Sequence, residues 1–154
     1  MANQKTQRSE AASKTILVNK GKWLYFLLNE GMAMGLDSQF AKDAMYELGE
    51  TYADNQYSKS TSLEELRDCL MDRVMVEGRG AVADISDGVL AISISSCPMY
   101  SLWSGLAKDE AEPDLLYDVY CEFYRALADK KGFSFDKTSA DRANNGACTL
   151  YFRA

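Results

Sequence analysis

The fold depends most on residues 89–100, VLAISISSCPMY, where a strand-like run ends at a Cys-Pro pair. Leu90, Ile92 and Ile94 alternate with smaller residues, which predicts a strand with one apolar face. Pro98 favours the start of a helix, because proline is well accommodated at the first helical position. The segment therefore predicts a strand that passes directly into a helix, with Cys97 at the bend.

The patterns on either side of this segment predict an α+β domain. Three helical apolar patterns precede it, and a long helical pattern follows it. The first has a stripe of Trp23, Phe26, Leu27, Glu30 and Met34, and the third begins with two overlapping capping boxes, Thr61 with Glu64 and Ser62 with Glu65. One hairpin is predicted over residues 81–94 and a second over residues 133–153, with turns at Ser86-Asp87-Gly88 and Asn144-Asn145-Gly146. We expect a helical N-terminal half packed on a four-stranded antiparallel sheet made of two hairpins. Residues 1–14 should form a mobile polar tail, and residues 15–154 a single domain.

Composition narrows the classes of partner. The net charge of −6 argues against a nucleic-acid partner, because phosphate binding needs clustered Lys and Arg. Apolar runs fall short of the roughly 20 residues that cross a bilayer, and the polar N-terminus does not look like a signal peptide. We therefore expect a cytoplasmic protein with a small-molecule substrate and no membrane partner. A homo-oligomer is left open.

Histidine is absent from the sequence, and its absence makes the thiols the main candidates for chemistry. Without it, Ser-His-Asp and Cys-His catalysis and the commonest metal ligand are excluded. The four cysteines should be reduced in the cytoplasm, and no two of them have C-x-x-C spacing. The candidate catalytic residues are Cys97, Cys121 and Cys148. Cys69 is expected to be an ordinary core residue.

Several interpretations of the three thiols remain open. Cys97 is best placed as a nucleophile, because a helix N-terminus favours a thiolate. Its general base would be a carboxylate, a tyrosine or another thiolate, with candidates Asp118, Glu122 and Tyr100. Alternatively the three thiolates bind zinc, or all four cysteines belong to the core. No cofactor and no metal ligand are assigned.

Aromatic and cationic residues near the thiols are the candidates for substrate binding. Tyr100 and Trp103 follow Cys97 on the predicted helix. Together with Phe123 and Tyr151 they are suited to lining an apolar cavity. Arg142 is a candidate partner for a substrate carboxylate, since its planar guanidinium matches a carboxylate bidentately. Packing in the core, or a solvated position for Arg142, is the competing interpretation.

Four segments occur in an order that is typical of one enzyme family. They are residues 20–35, residues 40–55 with Gly49, the strand with Cys97-Pro98 followed by Cys121 in a helix, and the closing NGACTLYF of residues 145–152. In this order they resemble the L-2-amino-thiazoline-4-carboxylic acid hydrolase family, related to vinyl-reductase-type small-molecule-binding domains. The resemblance implies a thiol-dependent hydrolase that opens the cyclic amidine C–N bond of a small 2-amino-thiazoline carboxylate. The alternative is a non-catalytic small-molecule-binding or sensor module of the same fold, with or without a cysteine-bound metal.

Overall fold

The structure is a computed structural model that describes residues 2–76 and 80–154, with side chains from residue 15 onward apart from 75 and 76. Within these ranges the chain forms helices that precede and separate two pairs of strands, so the predicted α+β fold is confirmed. The elements in chain order are α1 (Ala2–Ala33), α2 (Gln39–Asp54), α3 (Leu63–Val76), β1 (Ala81–Ser86), β2 (Val89–Ile94), α4 (Pro98–Leu106), α5 (Glu112–Lys131), β3 (Ser134–Lys137) and β4 (Cys148–Arg153).

The four strands form one antiparallel sheet in the order β1-β2-β4-β3. The two predicted hairpins are therefore present, and β2 pairs with β4 to join them, with Ile94 opposite Cys148. Ile92 and Phe152 are fully buried on the face toward the helices, whereas Val82 on the other face is exposed. One face of the sheet thus carries the core, as the alternating pattern predicts.

Helix α5 is the centre of the helical layer. It buries residues along most of its length, packs against α2, α4 and β3, and ends at Gly132 in the left-handed conformation. Helix α3 packs on β1 and β2, whereas α1 packs mainly on α4. The helices therefore form two layers, with α1 and α2 outside α4 and α5.

Two glycines let the outer helices come close to the inner ones. A Cβ on Gly21 of α1 would lie 3.0 Å from Met99 Cγ of α4. A Cβ on Gly49 of α2 would lie 2.8 Å from Ala126 Cβ and would clash with the Phe123 carbonyl oxygen of α5. Because real Cβ atoms rarely approach this closely, these two glycines fix the spacing of the layers.

The apolar stripe predicted on α1 does not face the core. Trp23 is 74% exposed, Leu27 61% and Met34 81%. The side of α1 that packs on α4 carries a different row of residues, namely Leu17, Gly21, Tyr25 and Leu28. A row of large apolar side chains is therefore left on the outside of α1.

Two boundaries differ from the predicted ones. Helix α1 begins at Ala2, so the backbone of the predicted tail continues the helix; its mobility stays a prediction. The strand or extended segment predicted over residues 133–142 forms a strand at β3, and Arg142–Asn144 form a short 3-10 helix. Gly78, where the sequence also predicts a break before the first strand, lies outside the described residues.

Candidate functional site

An apolar groove with a volume of about 700 Å³ lies between the outer and inner helices. Its lining residues come from α1, α2, α3, α4 and α5, and most of them are aliphatic or aromatic. This volume falls within the roughly 300–1,000 Å³ that is typical of small-molecule sites. The described residues that line the apolar groove are Ile16, Asn19, Lys20, Trp23, Leu24, Leu27, Met45, Leu48, Tyr52, Arg73, Met99, Tyr120 and Phe123.

The interior of the groove is buried, whereas its edge is exposed. Met99 and Phe123 are each 1% exposed, and the Phe123 ring meets the Tyr52 ring edge-on with centroids 5.2 Å apart. The edge is formed by Trp23 and Leu27 of α1 and by Leu48 of α2, which is 42% exposed. Exposed apolar side chains around an apolar interior are typical of a surface that is covered by a ligand or partner.

Arg73 brings a positive charge to this apolar surface. Its guanidinium carbon lies 4.3 Å from the centroid of the Phe123 ring and 5.0 Å from that of Tyr52. Both distances are within the range of cation–π attraction. Arg73 is half-buried, and Lys20 is the other charged residue among the described lining residues.

The three candidate thiols are not among the described residues that line the groove. Cys97, Cys121 and Cys148 are 5%, 2% and 8% exposed. Cys121 and Cys148 both lie next to the hydroxyl of Tyr117, which donates a hydrogen bond of 3.1 Å to the Thr138 carbonyl. Burial, and then the two neighbouring cysteines, raise the pKa of Tyr117 well above its ordinary value. The structure thus brings two of the predicted thiols together around a buried phenol.

Cys97 lies at the start of α4, as predicted, and is tied to the turn before β4. Its backbone N–H donates a 2.9 Å hydrogen bond to the Asn145 carbonyl. Gly146 has a φ of +77°, and a Cβ there would lie 2.5 Å from Tyr100 Cβ. Only glycine readily adopts this positive φ and also leaves room for the Tyr100 side chain. The turn therefore packs directly against the first turn of α4.

The candidate bases have other partners. Asp118 accepts a 2.6 Å bond from Lys137, and Glu122 pairs with Arg125 at 3.1 Å. Tyr100 donates a 2.6 Å hydrogen bond to an Asp114 carboxylate oxygen. Among the described residues there is no group of three His, Cys, Asp or Glu side chains that could hold a metal ion.

The predicted substrate-binding residues also lie outside the groove. Tyr100 is 1% exposed, and burial and then its bond to Asp114 raise its pKa. Trp103 is fully buried, and its Nε1–H donates a 2.9 Å hydrogen bond to the Gly21 carbonyl. Arg142 lies on the 3-10 helix, 3.5 Å from an Asp114 oxygen, and donates to the Glu110 carbonyl. In this structure these side chains tie helices and loops together, and a ligand role for them stays a prediction.

Most of the residues that line the groove could not be predicted from the sequence. Phe123 was an expected cavity residue and does line it, but Lys20 and Arg73 had no assigned role. The one signal available was the stripe of Trp23 and Leu27, whose period marks a helix but not the direction it faces.

No family model matches the chain, and a search of curated proteins finds no match. Among solved structures it is similar to a trafficking protein particle complex subunit 3 from Naegleria fowleri, covalently bound to palmitic acid. The likeness covers 93% of this chain and 95% of that chain, with 14% sequence identity and a TM-score of 0.57. At this identity the comparison establishes the fold.

The predicted membership of the thiazoline hydrolase family is therefore wrong. The family scan does not support it, and the fold that matches belongs to a trafficking subunit, which is not a hydrolase. The prediction of a C–N hydrolase is wrong for the same reason. The short motifs around Cys97, Cys121 and Cys148 have a structural explanation, since all three are buried beside strand ends or in α5. Among the described residues, no helix is long and apolar enough to cross a membrane.

Proposed function

We propose that the protein is a non-catalytic module that binds one alkyl chain in the apolar groove. The observation that carries this proposal is the groove itself, which is about 700 Å³ in volume and has apolar and aromatic walls. A flexible alkyl chain fits an apolar groove, because its affinity comes from the area that it removes from water. The likeness to a subunit that carries palmitic acid supports an alkyl ligand for this fold.

The exposed edge of the groove supports the same proposal. Trp23, Leu27 and Ile16 are each more than half exposed on α1, and exposure of large apolar groups to water is unfavourable. A bound chain would cover these three side chains along with the buried floor. Met45 and Met99 add flexible thioether side chains, which adapt to irregular ligands.

The proposal is tested by calorimetric titration of the protein with octanoate, decanoate and dodecanoate. Each buried methylene contributes about 0.8 kcal/mol, so affinity should rise roughly fourfold for each carbon added. One chain should bind per protein molecule. Absence of saturable binding, or an affinity independent of chain length, would overturn the proposal.

We also propose that the ligand is a small molecule and that the protein is located in the cytoplasm. The four cysteines are free thiols, which agrees with a reducing environment. The similar trafficking protein is a subunit of a complex, and this supports association of the chain with other protein chains. A homo-oligomer stays a prediction that light scattering of the purified protein measures directly. Fluorescence imaging of a tagged protein tests the compartment.

A further inference from the structure

We infer that the alkyl ligand is a free fatty acid, whose carboxylate is held by Arg73 with help from Lys20. The inference rests on the proposed function and names the chemistry of the ligand's head group. The proposed ligand has one alkyl chain and one carboxylate, and it binds without a covalent bond to the protein.

The charged residues that line the groove are complementary to an anionic head group. Lys20 and Arg73 are the charged residues among the described lining of the groove, and both are cationic. Acidic side chains are absent from that described lining, although the whole chain has 23 Asp and Glu residues and a net charge of −6. An anionic head group is therefore attracted to the groove and repelled by much of the remaining surface.

The position of Arg73 beside two aromatic rings also fits a carboxylate head group. Its guanidinium carbon lies 4.3 Å from the Phe123 centroid and 5.0 Å from the Tyr52 centroid. The N–H groups of a guanidinium lie in one plane and match a carboxylate bidentately. Because the two rings also restrict the side chain, less conformational entropy is lost when a carboxylate binds. Arg73 thus joins an apolar wall to a head-group site.

The positions of the cysteines favour a free carboxylate over a thioester. An acyl chain attached through a thioester would need a cysteine at the groove, and none of the four is among the described lining residues. Three of them are buried elsewhere, around Tyr117 and at the start of α4. An acyl chain bound here therefore keeps its ionised carboxylate, and this is the group that Arg73 recognises.

The test compares dodecanoate with dodecanol, which has the same chain without the charge. Wild-type protein should bind dodecanoate about tenfold or more tightly than dodecanol, as expected for a charge-assisted hydrogen-bonded pair. Arg73→Gln should remove most of this preference, and Lys20→Gln should reduce it severalfold. Lys22→Gln is the matched control, because Lys22 is exposed on the same helix and outside the described lining. It should behave like the wild type.

Each outcome separates the inference from the proposed function. Equal affinities for the two ligands in the wild type would overturn the inference and leave the proposed function standing. Absence of binding for both ligands would overturn both. If Arg73→Gln also loses dodecanol, the salt dependence of the wild type decides, since only carboxylate binding should weaken as salt is raised. Sedimentation with phosphatidylglycerol vesicles that depends on Arg73 would assign the groove to a membrane lipid and overturn the inference.

Discussion

The guanidinium of Arg73 lies over the face of the Phe123 ring, 4.3 Å from its centroid, so α3 and α5 meet at the apolar groove through a cation–π contact. Such contacts stabilise by about 0.5–2 kcal/mol, depending on how far the cation is desolvated. The contact holds a positive charge beside an apolar cavity, which is the arrangement that an amphiphilic anion requires.

Leu48→Asp should weaken dodecanoate binding about tenfold or more. The substitution replaces apolar lining with a carboxylate that repels the ligand's own carboxylate. Leu48 is 42% exposed, so the free energy of unfolding should change by about 1 kcal/mol or less. Leu106→Asp is the matched control, because Leu106 is 36% exposed on α4 and outside the described lining. Equal binding by both variants would argue against the groove as the site.

Gly49→Ala should destabilise the protein by about 1–3 kcal/mol, as measured by urea unfolding. The added methyl group would clash with the Phe123 carbonyl and Ala126, and overpacking of this kind outweighs the gain in helix propensity. Gly105→Ala in α4 is the control, since nothing lies within 4 Å of its Cβ position. It should be neutral or stabilising by up to about 1 kcal/mol. A stable Gly49→Ala protein would contradict the close approach of α2 and α5.

Glu65→Gln should lower stability at neutral pH and have little effect in acid. Hydrogen bonds from Thr61, and then from Ser62, lower the pKa of Glu65 below its ordinary value. A lowered pKa in the folded state stabilises above the ordinary pKa, and this contribution is lost as the pH falls through the lowered value. Urea unfolding at several pH values tests this. Equal stability of Glu65→Gln and the wild type at neutral pH would contradict the role of Glu65.

Cys69 should react with a maleimide before the other three cysteines in the native protein. It is partly buried and accepts a hydrogen bond from Ser60 at 3.4 Å, whereas Cys97, Cys121 and Cys148 are buried. Modification of a buried thiol requires local opening, so these three should react at least about tenfold more slowly. Peptide mapping by mass spectrometry measures the order. Fast labelling of Cys121 or Cys148 would contradict the packing around Tyr117.

Local patterns were sufficient to predict most of the elements. Strand β2 has its predicted bounds, and α4 begins at Pro98 directly after Cys97, because both depend on neighbouring residues. The capping box of Ser62 and Glu65 is also present, with reciprocal bonds of 3.2 Å. The second predicted box, from Thr61, is replaced by bonds from Thr61 to Glu65.

The site was harder to predict, because it depends on how helices pack. The period of α1 fits two rows of side chains, and the contact at Gly21 decides that the Tyr25 row is buried and Trp23 is exposed. Arg73 reaches the groove from α3, and no sequence spacing relates it to Phe123 on α5. The thiols were predicted as a site because histidine is absent. The structure buries Cys97, Cys121 and Cys148, and a chemical role for them stays a prediction.

The most direct test of the bound alkyl chain is photocrosslinking. A fatty acid with a diazirine at its last carbon is irradiated with the protein, and the modified residues are located by tandem mass spectrometry. We expect labels on lining residues such as Leu27, Leu48 or Met99, and their loss when excess dodecanoate competes. Labels on the exposed face of the sheet around Val82, or labels that dodecanoate does not reduce, would contradict binding in the apolar groove.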